Sequence, residues 1–157
     1  VTSWSGLTPA EAYAVLRLRC RVFVVEQECA YLDLDGRDLD DATEHVLISN
    51  GDDVAAYLRV LPAGLEVGHS LDPAGRAIGR VVTHPDHRGR GLAGSLLQAV
   101  ISTHGDSLLT MHAQSHLTGW YARYGFTPCG PDFLDDGIPH TPLQRTAASS
   151  PGPAVMA

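Results

Sequence analysis

The chain has 157 residues, of which 44% are hydrophobic and 18% charged. That balance suits one domain with a single apolar core and excludes a chain left disordered for want of hydrophobic residues. Eleven basic residues against eighteen acidic ones give a net charge of -7, which disfavours polyphosphate partners, so no nucleic acid is expected. Every basic residue is Arg, which excludes Schiff-base chemistry, a P-loop lysine and a lysine general base.

Cys20, Cys29 and Cys129 form neither a CxxC pair nor a dense disulfide framework, so a reducing, cytoplasmic setting is expected. No apolar run reaches the roughly 20 residues that span a bilayer, and no signal-like apolar segment opens the chain, so no membrane association is expected. Thr8-Pro9-Ala10-Glu11 carries an N-cap, a proline at the first helical position and a capping-box glutamate. A helix is predicted from there to about Cys20, with Ala12, Val15, Leu16 and the Arg19 stem inward. The run 21–27 is too short and too β-branched to assign. Residues 29–43 read as a long, acidic, solvated loop. Strands are predicted over 44–48 and 54–61, joined by the hairpin signal Asn50-Gly51-Asp52.

Pro and Gly make residues 62–75 a loop or weak hairpin, and 76–83 supplies another strand. A helix follows from near Gly91 to Gly105, on the stripe Leu92, Leu96, Ala99, Val100 and Thr103. The remaining expectations are a strand over 107–112, a short helix over 115–124 closed by Gly125, and strands near 126–129 and 140–145. Residues 146–157 are small, Pro-rich and uncharged, and are expected to form a disordered tail. This order describes a mixed sheet flanked by helices, an α/β (α+β mixed) domain over residues 1–145.

The segment His87-Arg88-Gly89-Arg90-Gly91-Leu92-Ala93-Gly94 joins a strand to a helix. Helix N-termini leave N–H groups unpaired, and glycines let those groups approach a ligand, so the loop can cradle a phosphate or pyrophosphate between Arg88 and Arg90. A glycine-rich turn that only begins a helix would carry the same letters. A Walker loop is excluded by the missing Lys, and a Rossmann unit by the position of the motif after a hairpin.

The stretch Val81 to Gly94 resembles the acetyl-coenzyme A motif of the GCN5-related N-acetyltransferases (GNATs), Gln/Arg-x-x-Gly-x-Gly/Ala, with Arg88, Gly91 and Ala93 in its defining places. Trp120-Tyr121-Ala122-Arg123-Tyr124-Gly125-Phe126 is similar to that superfamily's aromatic-Tyr-x-x-x-Gly-Phe segment. Residues 18–29, the acidic Tyr31-x-Asp33-x-Asp35-Gly36, Gln114 to Leu117 and Asp136 to His140 resemble the ElaA-like subgroup. The resemblance implies a six- to seven-stranded mixed, mostly antiparallel sheet, splayed at its centre and flanked by about four helices. It also implies acetyl-CoA as co-substrate, a small-molecule or peptide amine as acceptor, and transfer by direct attack in a ternary complex. Val81, Val82, Thr83, Arg88, Gly89, Arg90, Gly91, Leu92, Ala93, Gly94, Gln114 and His116 are then the cofactor-binding residues. A homodimer is compatible with this reading.

Tyr121 occupies the general-acid position of the resemblance; ordinary aromatic packing is the alternative. A glutamate that relatives often carry near the end of the Val81 strand is replaced by Arg80 and Thr83. Glu26, His45, His112 and His116 are the candidate bases, Glu26 first because its segment borders the acceptor pocket in relatives; a water relay is the alternative. Asp33 to Asp41 fail as a calcium loop, since Asp38 stands where Gly is required. His84-x-x-His87 and His112-x-x-x-His116 lack companion ligands, so no metal is expected. A non-catalytic acyl-CoA sensor is the rival function. Acyl-homoserine-lactone synthesis shares the outline, but this chain is short for it.

Overall fold

A computed structural model describes residues 1–65, 68 and 71–147; residues 148–157, and so most of the expected tail, lie outside them. Helix α1 (Pro9–Arg19) begins with the capping box its sequence predicts. Thr8 Oγ1 accepts from the Glu11 N–H at 3.2 Å, and the Glu11 carboxylate accepts from the Thr8 N–H at 2.8 Å. The chain then continues without a break as a π-helix, Cys20–Glu26, which accounts for the unassignable run after Cys20. The inward stripe is Ala14, Val15 and Leu18, with Val22 on the next turn. It is rotated from the expected one because Tyr13 points to solvent and the fully buried Arg19 defines the inner face.

Seven strands follow among the described residues: β1 (Glu44–Asn50), β2 (Asp53–Leu61), β3 (Arg76–Thr83), β4 (Leu109–Gln114), β5 (Thr127–Pro128), β6 (Phe133–Asp135) and β7 (Ile138–Arg145). Helix α2 (Leu92–His104) connects β3 to β4, and the short α3 (Thr118–Ala122) follows β4. Among the described residues, three α-helices and the π-helical turn thus stand where about four helices were expected. The sheet order is β1-β2-β3-β4-β7-β5, with β6 also on β7; every pairing is antiparallel except β3 with β4. The Asn50-Gly51-Asp52 turn closes the first hairpin with Gly51 at a left-handed φ of 63°, where a side chain would be strained.

Strand β2 is buried on both faces. Leu58 and Val60 pack with Leu96, Leu97 and Val100 of α2 in one core, while Val54 and Tyr57 join Val15, Leu18 and Val22 in the second. On α2 the inner stripe is Leu96, Leu97 and Val100, and Ala99 and Thr103 are exposed instead.

Arg59 lies in the middle of this buried strand and Arg19 at the end of α1, and both require partners. The acidic segment 29–43 supplies them, so it is a folded-in clamp rather than the solvated loop expected. Asp33 and Asp38 are buried. Arg19 reaches Asp33 Oδ2 and Asp38 Oδ1, each at 2.8 Å, and Arg59 holds both oxygens of Asp35 at 2.8 Å and Asp38 Oδ1 at 3.0 Å. Asp33 also binds Arg80 at 2.6 Å and accepts from the Tyr31 hydroxyl at 2.7 Å. The side chains alternate accordingly: Asp33 turns inward while Leu32 and Leu34 face solvent.

Burial works to raise the Asp35 and Asp38 carboxyls, but the Arg59 and Arg19 bonds outweigh it and hold both below the ordinary carboxylate range. A folded-state value below the unfolded one gives stability that is present above about pH 4 and is lost as pH falls below it. Acid titration followed by circular dichroism is therefore expected to show unfolding that begins below about pH 4. Replacing Asp35 by Asn should flatten that acid limb.

Candidate active site

Strands β3 and β4 pair only over Arg76–Ile78 with Leu109–Met111; beyond Ile78 they part. The cause lies in β3. Between the pairs Arg59↔Gly79 and Tyr57↔Val82, β3 places two residues, Arg80 and Val81, opposite the single Leu58, which is a β-bulge. Arg80 there adopts a left-handed φ of 56°, a conformation costly for a side-chain-bearing residue. Its guanidinium is held against Asp33 and donates to the Asp33 carbonyl at 2.9 Å, so the ion network steadies the bulge.

The parted strands open a cleft of about 1040 Å³. The His84 N–H bonds to the Ala55 carbonyl at 2.8 Å, and strand alternation then commits the backbone of Val82 to β2. Val81 and Thr83 therefore turn their backbone groups to the side that β4 has left. Of Val81 and Val82, both expected to bind the cofactor, Val81 is the one whose backbone is so exposed.

After β3 the chain makes a short turn, Pro85–His87, and enters the glycine loop. Gly89 and Gly91 take left-handed φ values of 75° and 72°, and Gly91 caps α2. Among the described residues, the amides of Gly89, Arg90, Gly91, Leu92, Ala93 and Gly94 have no acceptor. Six successive N–H groups at the start of a thirteen-residue helix form an anion cradle by charge and geometry alone. The donor set therefore fits the phosphates of a coenzyme A thioester.

Val81, Val82, Thr83, Arg88, Gly89, Gly91, Leu92, Ala93, Gly94, Gln114, His116, Tyr121 and Glu26 all line this one cleft. Arg90, which was expected to bind the cofactor, is exposed and is not part of the lining. Gly94 serves a second purpose, since a Cβ there would collide with the Tyr124 hydroxyl. It allows the aromatic segment after α3 to seat directly on α2.

Tyr121 is 5% exposed and packs edge-on against Trp120. Burial pushes its hydroxyl up to about 12, and among the described residues nothing hydrogen-bonds that hydroxyl. Glu26 binds Arg88 through both carboxylate oxygens, at 2.8 and 3.0 Å. Gln114 donates to Gln27 Oε1 at 3.3 Å across the cleft. His45 is a structural residue: it is buried against the Tyr57 hydroxyl at 2.7 Å and the Asp38 carbonyl at 3.0 Å. His112 lines the cleft and stacks edge-on with Phe133.

Sequence reasoning missed Tyr31, Asp35, Arg37 and Arg59, which also line the cleft, and the network that places them. A signal for it existed: an arginine within the apolar run of β2 requires a buried acidic partner. Among the described residues, no group of three or more His, Cys, Asp and Glu side chains is placed to hold a metal. No described helix is long and apolar enough to cross a membrane.

The bulged and parted β3–β4 pair, leading into an amide cradle, is the site of an acyltransferase fold, and comparison with known proteins agrees. The Acetyltransferase (GNAT) domain family matches residues 40–147, and the chain belongs to that family. Within it, the chain falls in the ElaA-like subgroup. It is 37% identical to protein ElaA of Escherichia coli over 145 residues, 90% of this chain and 91% of that protein. The crystal structure of E. coli ElaA superposes with a TM-score of 0.81, covering 92% of this chain and 95% of that one. An acyl-CoA N-acyltransferase from Pseudomonas aeruginosa is similar at 37% identity and a TM-score of 0.79, with 92% and 97% covered. A UPF0039 protein of Mycobacterium tuberculosis is 42% identical over 90% of this chain and 89% of its own length.

Gly94→Ala is expected to force the Tyr124 hydroxyl off α2 and to cost about 1–3 kcal/mol, as overpacking does. Thermal unfolding reads the loss, and Tyr124→Phe in the same chain should recover most of it.

Proposed function

We propose that this protein is an acetyl-CoA-dependent N-acetyltransferase that passes an acetyl group to a primary amine by direct attack in a ternary complex. The observation that carries the reading is the continuity of one cleft. It joins Arg88 and five of the amides without an acceptor among the described residues, those of Gly89 and Gly91 to Gly94, with the open edge of β3 and Tyr121.

The bound thioester supplies an activated acyl carbon. The chain's own groups have separable tasks around it. The amides of Gly89–Gly94 and the Arg88 guanidinium bind the phosphates, and the edge at Val81 and Thr83 pairs with the amides of the pantetheine arm. The Val81 N–H stabilises negative charge on the acyl oxygen. Glu26 is the carboxylate that accepts the amine proton. Among the other acidic residues lining the cleft, Asp35 is tied to Arg59, and Asp135 and Asp136 stand at the turn between β6 and β7.

Tyr121 serves the departing thiolate as a hydrogen-bond donor. A phenol near 12 facing a thiol near 8.5 would give up its proton against about 3.5 units, or roughly 5 kcal/mol. Full transfer at that step is therefore disfavoured, while a hydrogen bond to a developing anion strengthens as charge builds.

Two measurements test this reading. In calorimetric titration with acetyl-CoA, the wild type should bind saturably and Ala93→Glu should bind at least tenfold more weakly. A carboxylate in the first turn favours the helix itself, so loss of binding without loss of fold marks competition for the anion cradle. Tyr121→Phe should lower the rate of thiol release, measured across a panel of primary amines, by about 10- to 100-fold with unchanged affinity for acetyl-CoA. Binding by the wild type with no turnover on any amine would favour the acyl-CoA sensor instead.

A further inference from the structure

The end of the π-helix and the segment that follows it cross the cleft and touch a different wall with each of three side chains. Glu26 meets Arg88 of the glycine loop, Gln27 meets Gln114 at the end of β4, and the Cys29 thiol points at the Asp136 carbonyl at 3.8 Å. Glu28, within this crossing, holds a left-handed φ of 50°. The first of the three contacts is the informative one. Arg88 stands next to six amides that have no acceptor, yet its own Nη2 is occupied by both oxygens of a carboxylate 62 residues away in sequence. A second, longer bond of 3.4 Å from Arg88 Nε to the Thr83 carbonyl aims the guanidinium along the end of β3.

We propose that Glu26 is a clasp on the donor site: its carboxylate competes for Arg88 with the phosphates of a coenzyme A thioester and yields the guanidinium to them when they enter the cradle. The inference rests on the donor-site reading above. An anion entering the cradle competes with the Glu26 carboxylate for the same guanidinium, and two anions at one cation repel each other. The pair is 46% and 41% exposed, so it is screened and weak. A polyanion that also gains the free amides displaces it. Displacement leaves the Glu26 carboxylate without its cation, on the same crossing segment as Gln27, where it can receive an ammonium group or its proton. Glu26 thus acts on donor affinity through Arg88.

The test is a double-mutant cycle read by calorimetric titration with coenzyme A on the full chain: wild type, Glu26→Gln, Arg88→Ala and the pair. Glu26→Gln is expected to bind coenzyme A two- to fivefold more tightly, the range that an exposed ion pair supplies. Arg88→Ala should bind more weakly, and adding Glu26→Gln to it should bring no further gain. Both side chains are exposed, so circular dichroism should show all four proteins folded.

Unchanged or weaker binding by Glu26→Gln overturns the clasp. Equal tightening with and without Arg88 also overturns it, because that outcome is general repulsion between the carboxylate and the phosphates. Failure of the wild type to bind coenzyme A would remove the donor-site reading itself, a result distinct from either of these.

Discussion

Two neighbouring parallel strands at the centre of a sheet ordinarily satisfy each other's backbone groups, and here they stop doing so after Ile78. The rest of the molecule is arranged around that interruption. It removes a row of hydrogen bonds from the middle of the domain, and it is stabilised by a bulge at Arg80–Val81 that bends β3 away from β4. An open edge inside a sheet is a place where an extended ligand arm can substitute for the missing strand. The cleft that results is a consequence of backbone geometry, with side chains added to its walls.

The bulge carries an unfavourable φ at Arg80, and it persists because charge holds it. Asp33, Asp35 and Asp38 come from a segment without helix or strand apart from one short turn, Arg37–Leu39. They grip Arg19 of α1, Arg59 of β2 and Arg80 of β3. Burying two carboxylates and two guanidiniums, with Asp35 and Arg80 partly exposed beside them, is expensive in isolation, and such networks return little net stability compared with apolar packing. Their value here is geometric. One network fixes the end of the first helix, the buried strand and the bulged strand relative to one another, and it brings Tyr31, Asp35 and Arg37 to the wall of the cleft. The donor side is built differently, from amides that glycine leaves uncovered. There the Arg88 guanidinium meets Glu26 in a solvated contact, suited to being exchanged.

The secondary structure was largely legible in the sequence, for local reasons. The capping box at Thr8–Glu11, the Asn50-Gly51 turn, the strand run to Thr83 and the glycine start of α2 each depend on residues close together in the chain. The π-helix at Cys20–Glu26 was not legible, because a β-branched run suits a strand as well as a helix until a helix precedes it without a break. The short β6 was missed because three residues beside a turn carry no periodicity. The inner faces of α1 and α2 were each placed imperfectly, since periodicity finds a stripe but not its phase against the sheet.

What the sequence by itself determined is the amide cradle at the start of α2. Unpaired amides at a helix start, glycines with positive φ and a neighbouring arginine are properties of one continuous stretch, Arg88 to Gly94, and they follow from short-range sterics. What only the tertiary structure decided is which charges are spent on one another. Asp33 and Asp38 read as solvated and are buried; His45 read as a candidate base and is a buried hydrogen-bonded support; Glu26 read as the first candidate base and is bound to Arg88. A side chain's partner comes from residues tens of positions away, and whether a carboxylate meets water or a guanidinium depends on which strands the fold brings beside it.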